Sequence, residues 1–163
     1  MRRYLVVANQ TLAGPELAAL IRERAAAGPS DFWVVVPATP LAHTVDASYL
    51  AMPVMGGIPS IPGPPEEAEQ AARVKLDAAV RRFAGSGAAV DGEVGDPDPV
   101  RAVQNALARR EVDEIIVSTL PSRLSRWLRQ DLPTRLEHKF HLPITHVPST
   151  APDPERAVDS TDR

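Results

Sequence analysis

The sequence has 163 residues, a length that suits one domain with a hydrophobic core of its own. Its net charge of −3 gives no reason to expect a nucleic-acid-binding protein, and no apolar run approaches the length of a membrane span. The absence of cysteine excludes disulfides, thiolate catalysis and cysteine-ligated metals, and it is compatible with the cytoplasmic location that we expect.

The first half of the chain predicts two buried strands separated by a helix. Residues 2–9 and 32–37 are short, β-branched and almost wholly apolar, which is typical of strands covered on both faces. Between them, residues 17–25 carry an apolar stripe at helical spacing, and Gly28-Pro29 predicts the end of that helix.

A long irregular loop is predicted from Pro40 to Pro65, a segment with six prolines and three glycines. The loop also contains Met52, Met55 and other apolar residues, too many for a merely solvated linker. It can fold over a ligand crevice as a lid, present a flexible surface to a protein partner, or pack as an ordered loop over its own domain.

The second half continues the alternation of helices and strands. Residues 65–83 predict a helix, 88–94 a strand at a sheet edge, 99–110 a helix with Asp98 as its N-cap, 114–118 a buried strand and 142–147 a last strand. Residues 1–149 thus form one α/β domain with a five-stranded, doubly wound parallel sheet, and the polar segment 150–163 is predicted to be a disordered tail. The predicted core includes six apolar strand residues, Leu5, Val7, Val34, Val36, Ile115 and Val117.

Residues 2–148 resemble the universal stress protein family. The resemblance rests on the order of several features: a first strand that ends in a polar residue, a long loop after the second strand, and a third strand that leads into Gly95-Asp96-Pro97. The ending His141–Val147 is similar to the family's last strand. The resemblance implies a Rossmann-like, adenine nucleotide alpha-hydrolase-like sheet of strand order 3-2-1-4-5, with a ligand crevice between Asn9 and Ser118-Thr119.

The family's ATP-binding motif is altered in this sequence. Nucleotide-binding members carry G-x-x-G, nine residues and then G-[S/T] after the fourth strand, and those glycines let backbone amides reach phosphates. Ser118 and Pro121 stand at the first two glycine positions, and Gln130 and Asp131 at the last pair, so all three glycines are replaced. Asn9 stands where ATP-binding members have an aspartate.

Polar and basic residues at the same strand ends still form a candidate anion or nucleotide crevice. Its residues are Asn9, Val36, Ser118, Thr119, Ser122, Arg123 and Arg126. The alternative interpretation is that Ser118 to Ser122 cap a helix that begins near Pro121, and that the arginines form a solvated face.

Neither a metal site nor a catalytic site is predicted. No two of the four histidines have helical ligand spacing with a carboxylate partner, and no nucleophile–base motif is present. Asp96 and Asp98 are explained by turn formation and helix capping.

The leading functional hypothesis is a non-catalytic, homodimeric stress-response protein without ordinary ATP binding and without a cofactor. Dimerisation is expected through the last strand, at Leu142, Ile144 and His146. The alternative is an adenine-nucleotide-binding member for ATP or AMP, conceivably a slow ATPase, that holds its ligand with Asn9, the loop 118–122 and Arg123 or Arg126. An alpha-hydrolase-type enzyme is a third hypothesis, and the missing glycine-rich loop after the first strand argues against it.

Overall fold

The computed structural model describes residues 1–9, 11–39, 42–44, 60–62, 64–120 and 131–149. Five parallel strands form the main sheet: β1 (Arg2–Val7), β2 (Ser30–Pro37), β5 (Ala89–Gly95), β6 (Glu114–Thr119) and β7 (Ile144–Pro148). Within these ranges, four α-helices accompany it: α1 (Pro15–Ala27), α2 (Pro65–Phe83), α3 (Pro99–Leu107) and α4 (Leu132–Phe140).

The strand order across the sheet is β5-β2-β1-β6-β7, which is the predicted 3-2-1-4-5 order. The chain therefore reverses direction across the sheet between β1 and β6, and the carboxyl ends of these two strands flank the switch point. None of the described helices is long and apolar enough to cross a membrane.

Two core clusters lie on opposite faces of the sheet. One combines residues of α1 and α2 with Tyr4, Val6 and Val34, and the other combines residues of α3 and α4 with Leu5 and Val117. All six residues predicted to be core have no exposed surface, so this prediction is confirmed. Alternate residues of β1 serve opposite clusters because successive strand side chains point to opposite faces.

The prediction that residues 40–65 are wholly irregular is wrong at both ends of the segment. Two short strands, β3 (Ala42–Thr44) and β4 (Ser60–Pro62), pair antiparallel, with His43 opposite Ile61. Pairing satisfies backbone groups that a proline-rich chain would otherwise leave to solvent. Residues 45–59, which include both methionines of the segment, and the predicted tail 150–163 lie outside the described residues.

The junction between β5 and α3 explains the residues Gly95, Asp96 and Asp98. A side chain at Gly95 would place its Cβ 2.7 Å from the Ala102 Cβ and 2.8 Å from a Val35 methyl group. The Asp96 carboxylate accepts from the Asp98 amide at 2.9 Å, and the Asp98 carboxylate caps the first turn of α3. The turn and capping roles predicted for both aspartates are confirmed.

Candidate functional site

Asn9 is the second residue after β1, and both ends of its amide are hydrogen-bonded within the protein. Its Nδ2 donates to the Pro37 carbonyl oxygen at 2.8 Å, at the end of β2, and its Oδ1 accepts from the Lys75 ammonium at 2.7 Å. The residue thus connects β1, β2 and α2. Both hydrogen-bonding ends of its amide are occupied.

Lys75 belongs to this site, although no sequence motif points to it. It lies three residues after Ala72 and four before Ala79, two buried residues of α2, so helical spacing places it beside the buried face. Burial of its ammonium group lowers the pKa of Lys75, since desolvation disfavours the charged form. In the sequence, the indication of this position is that Lys75 lies at helical spacing from two apolar residues of the buried face.

Ser118 and Thr119 end β6, on the other side of the switch point. Both are buried, and the Thr119 hydroxyl shares a hydrogen bond of 2.6 Å with Nε2 of His146 in β7. The Ser118 hydroxyl is buried and has no hydrogen-bond partner in the structure. These two residues lie where they were predicted, but their side chains face the protein interior.

The other predicted crevice residues divide into two groups. Val36 is wholly buried in the core cluster of α1 and α2, so its side chain offers no surface to a ligand. That Val36 belongs to the crevice, at the end of β2, stays a prediction. Ser122, Arg123 and Arg126 lie outside the described residues.

Asp131 marks the N-terminus of α4 and has a left-handed backbone, with φ 52° and ψ 46°. Its side chain makes no capping hydrogen bond and is exposed. The N-terminus of a helix is where an anion is otherwise stabilised by backbone amides and the helix dipole. A carboxylate at this position repels a phosphate from α4.

Buried hydroxyl groups without partners remain along the carboxyl edge of the sheet. They are Thr11 after β1, Thr39 after β2, and Ser118 in β6. A buried hydroxyl without a partner costs free energy, so these three groups are candidates for a ligand or an ordered water.

A cavity of about 210 Å³ lies between α2 and the turn that joins β1 to α1. Its lining includes Asn9, Leu12, Ala13, Lys75, Ala79 and Arg82. The Arg82 guanidinium donates to the Ala13 carbonyl oxygen, so it connects α2 to this turn at a second point. The cavity combines an apolar floor with two cationic side chains.

Two of the four histidines lie at the C-terminal end of α4. His138 lies in the last turn of α4, and His141, with φ 53°, forms its left-handed C-cap. Over the described ranges, no three side chains of the metal-binding types come together as a cation site.

Comparisons with known proteins bear on the fold. No protein-family model matches the sequence, and a search of curated proteins finds no match. Among solved structures, the chain is similar to the universal stress protein from Archaeoglobus fulgidus, with a TM-score of 0.56 and 13% identity over 90% of this chain and 93% of that chain. It is also similar to a protein from the universal stress protein family from Burkholderia pseudomallei, with a TM-score of 0.57 and 16% identity over 90% of this chain and 96% of that one. The chain therefore has the fold of the universal stress proteins.

Proposed function

We propose that this protein is a non-catalytic, homodimeric regulatory protein of the universal stress protein type, which acts in the cytoplasm through protein partners and does not bind ATP in the ordinary way. The proposal rests on hydrogen bonds that two polar side chains of the crevice already make within the protein. The amide of Asn9 is engaged on both sides, and Thr119 is bonded to His146. These two polar side chains at the crevice are therefore already bonded within the protein, whereas the Ser118 hydroxyl has no partner.

The sequence after β6 supports the same conclusion. Backbone amides wrap a triphosphate only where the chain approaches it closely, which is why glycines are needed. Ser118 and Pro121 replace two of these glycines, and proline has no amide hydrogen to donate. The exposed Asp131 carboxylate adds repulsion at the N-terminus of α4.

Thermal unfolding with ATP, ADP and AMP, with and without magnesium, tests this part of the proposal. A ligand at 100 times its dissociation constant stabilises the folded protein by roughly 2.7 kcal/mol. We expect no magnesium-dependent stabilisation by ATP at micromolar concentrations. Stoichiometric ATP binding in a calorimeter would overturn the proposal.

A second function, nucleotide binding through a non-standard loop, is favoured by the buried hydroxyls of Thr39 and Ser118, which have no partners. On that hypothesis the two hydroxyls would hold the ribose or a phosphate, together with the loop 118–122 and Arg123 or Arg126. AMP or ATP would then stabilise the wild type, and Ser118→Ala would reduce the stabilisation. An equal response of both proteins to a nucleotide would exclude a role for Ser118.

The proposed dimer interface is the open edge of β7. The Pro143 carbonyl and the Ser149 amide both bond to β6, so alternation along the strand directs the backbone groups of Ile144 and His146 away from it. An unpaired strand edge is a template for a second chain, and pairing about a two-fold axis brings the same residues together. We therefore propose antiparallel pairing of two β7 strands at Ile144 and His146, next to Leu142.

The edge can be blocked without disturbing the pairing of β7 with β6. His146→Pro removes one outward-facing amide, a change that an edge strand tolerates, whereas His146→Ala keeps the amide and loses the same side chain. Ile144 is less suitable for substitution because it packs against the core. Light scattering should give a dimer for the wild type and His146→Ala and a monomer for His146→Pro. A monomeric wild type, or a dimeric proline variant, would remove β7 from the interface.

The segment 40–65 is the proposed contact surface for a protein partner. The observed part of this proposal is the β3–β4 pairing, which brings Ala42 opposite Pro62. The two paired strands are the parts of this segment that the structure describes, and they bring residues 44 and 60 together. Deleting residues 45–59 should leave the thermal stability unchanged and abolish partner capture. Retained capture would exclude the loop.

A further inference from the structure

The cavity between α2 and the β1–α1 turn has a composition that differs from that of a nucleotide site. We propose that it binds a small organic carboxylate with an apolar body, whose carboxylate meets Lys75. Asn9 is the one residue that this cavity shares with the candidate nucleotide crevice, and the proposal does not depend on whether the crevice binds ATP.

The charged side chains that line the cavity are both cations. Lys75 meets the neutral amide oxygen of Asn9, and Arg82 meets the neutral backbone carbonyl of Ala13. No carboxylate lines the cavity within the part of the chain that the structure describes. Two cations with neutral acceptors favour an anion in the cavity.

Some cations of the described surface meet carboxylates and others meet neutral acceptors. Arg109 contacts Glu93 at 2.6 Å, and Arg73 contacts Glu69 at 3.5 Å. Lys139, in contrast, donates to the amide oxygen of Gln104. Lys75 and Arg82 differ from Lys139 in that they line a cavity, where a bound carboxylate can reach them.

The geometry of the ammonium group permits such a ligand. An ammonium group has three N–H donors, and Asn9 uses one of them. The others remain for a carboxylate without any loss of the bond to Asn9. Because Lys75 is half-buried, a charge-assisted hydrogen bond there is stronger than one in open solvent.

The volume of the cavity and its apolar lining indicate the size and the apolar character of the ligand's body. The cavity holds about 210 Å³, and a dry protein cavity of about 150 Å³ accommodates benzene. Leu12, Ala78 and Ala79 provide the apolar lining. A benzoate-sized molecule fits, whereas pockets for larger ligands begin at about 300 Å³.

Titration of the full-length protein with sodium benzoate, followed by NMR or calorimetry, tests the proposal, and benzyl alcohol and inorganic phosphate serve as comparison probes. Benzoate should bind at one site, benzyl alcohol should bind more weakly because it lacks the charge, and phosphate should not compete because it lacks the apolar body. Lys75→Gln should weaken benzoate binding at least tenfold, about 1.4 kcal/mol. Arg73→Gln, two residues from Lys75 along α2 and exposed, should bind as the wild type does.

A second variant, Ala78→Leu, keeps the cations of Lys75 and Arg82 and fills the cavity. Ala78 is an exposed residue of α2 that lines the cavity, and leucine is a good helix former, so Ala78→Leu should fold normally and abolish benzoate binding. An Ala78→Leu variant that still binds benzoate would show that the ligand lies elsewhere.

Lysine labelling gives an independent readout. Lys75 and Lys139 are the only two lysines of the sequence, so acylation at each can be followed cleanly by mass spectrometry. Benzoate should protect Lys75 and leave Lys139 unchanged. Equal labelling of Lys75 with and without benzoate, or an unchanged affinity in Lys75→Gln, would overturn the proposal.

Discussion

A buried ion pair connects three elements of the fold, and its removal can be predicted quantitatively. The Glu114 carboxylate, in β6, accepts from the Arg24 guanidinium of α1 at 3.1 Å and from the Thr145 hydroxyl of β7 at 2.6 Å. The Glu114 side chain is only 6% exposed, and that of Arg24 is 28% exposed. The pair therefore joins α1 and the edge strand to the centre of the sheet.

The substitution Glu114→Gln keeps the shape of the side chain and removes its charge. Breaking a buried pair by removing one partner costs about 3–5 kcal/mol, because the remaining charge is left without compensation. Since part of Arg24 reaches solvent, and the glutamine can still accept from Thr145, we expect a smaller cost of about 2 kcal/mol. For a protein of this length, that corresponds to a fall in Tm of roughly 4–8 °C.

Urea unfolding of the wild type, Glu114→Gln, Arg24→Met and the double variant forms a mutant cycle. The double variant should be more stable than the sum of the single effects predicts, with a coupling energy of about 1–2 kcal/mol. Glu69→Gln is the matched control, because its pair with Arg73 is exposed and should contribute less than about 0.5 kcal/mol.

A loss of stability in Glu114→Gln no larger than the loss in the control would show that the buried pair does not stabilise the fold more than an exposed one. A coupling energy near zero would have the same meaning, since Arg24 and Glu114 would then stabilise the fold independently.

Three further predictions concern single positions. Gly92→Ala should destabilise the protein by about 3 kcal/mol, since its Cβ would lie 2.2 Å from a backbone oxygen of β2, whereas Gly85→Ala, with no atom within 4 Å, should be neutral or slightly stabilising in the same urea titration. His141→Gly should stabilise the protein by about 0.5–1 kcal/mol at pH 8, because glycine adopts the left-handed C-cap without strain. The control His138→Gly, inside α4, should destabilise it by about 1 kcal/mol. Equal effects of the two substitutions would contradict this prediction. Burial lowers the pKa of His146, so the unfolded chain binds more protons and wild-type stability should fall as the pH drops below about 6.5. His146→Gln should flatten that dependence, and an unchanged pH profile would exclude His146 as its source.

The fold could be predicted from the sequence because the strands of the main sheet have strong local patterns. The runs around Val7, Val35 and Val117 are apolar on both faces, and Asp98-Pro99 marks the start of α3. The order of the strands in the sheet could not be predicted from these local patterns. It depends on which helices cover which face, so it came from the family resemblance and not from periodicity.

The candidate site was less predictable because its contacts join residues that are distant in the sequence. Asn9 and Lys75 are 66 residues apart, and a lysine in a helix is usually solvated. Thr119 and His146 are 27 residues apart on neighbouring strands, and only the register of β6 and β7 brings them together.

Asn9 connects these observations, since one residue accounts for both the altered crevice and the charged cavity. An amide can donate to the Pro37 carbonyl and accept from the Lys75 ammonium at the same time. An ionised aspartate at this position could only accept, so it would place a carboxylate oxygen against the Pro37 carbonyl, and its charge would neutralise Lys75. With asparagine, β1 is held to both β2 and α2, and the positive charge of Lys75 is left without a carboxylate partner among the described residues. The difference from the ATP-binding pattern is therefore stabilised within the fold, and it leaves a cation available beside the apolar cavity.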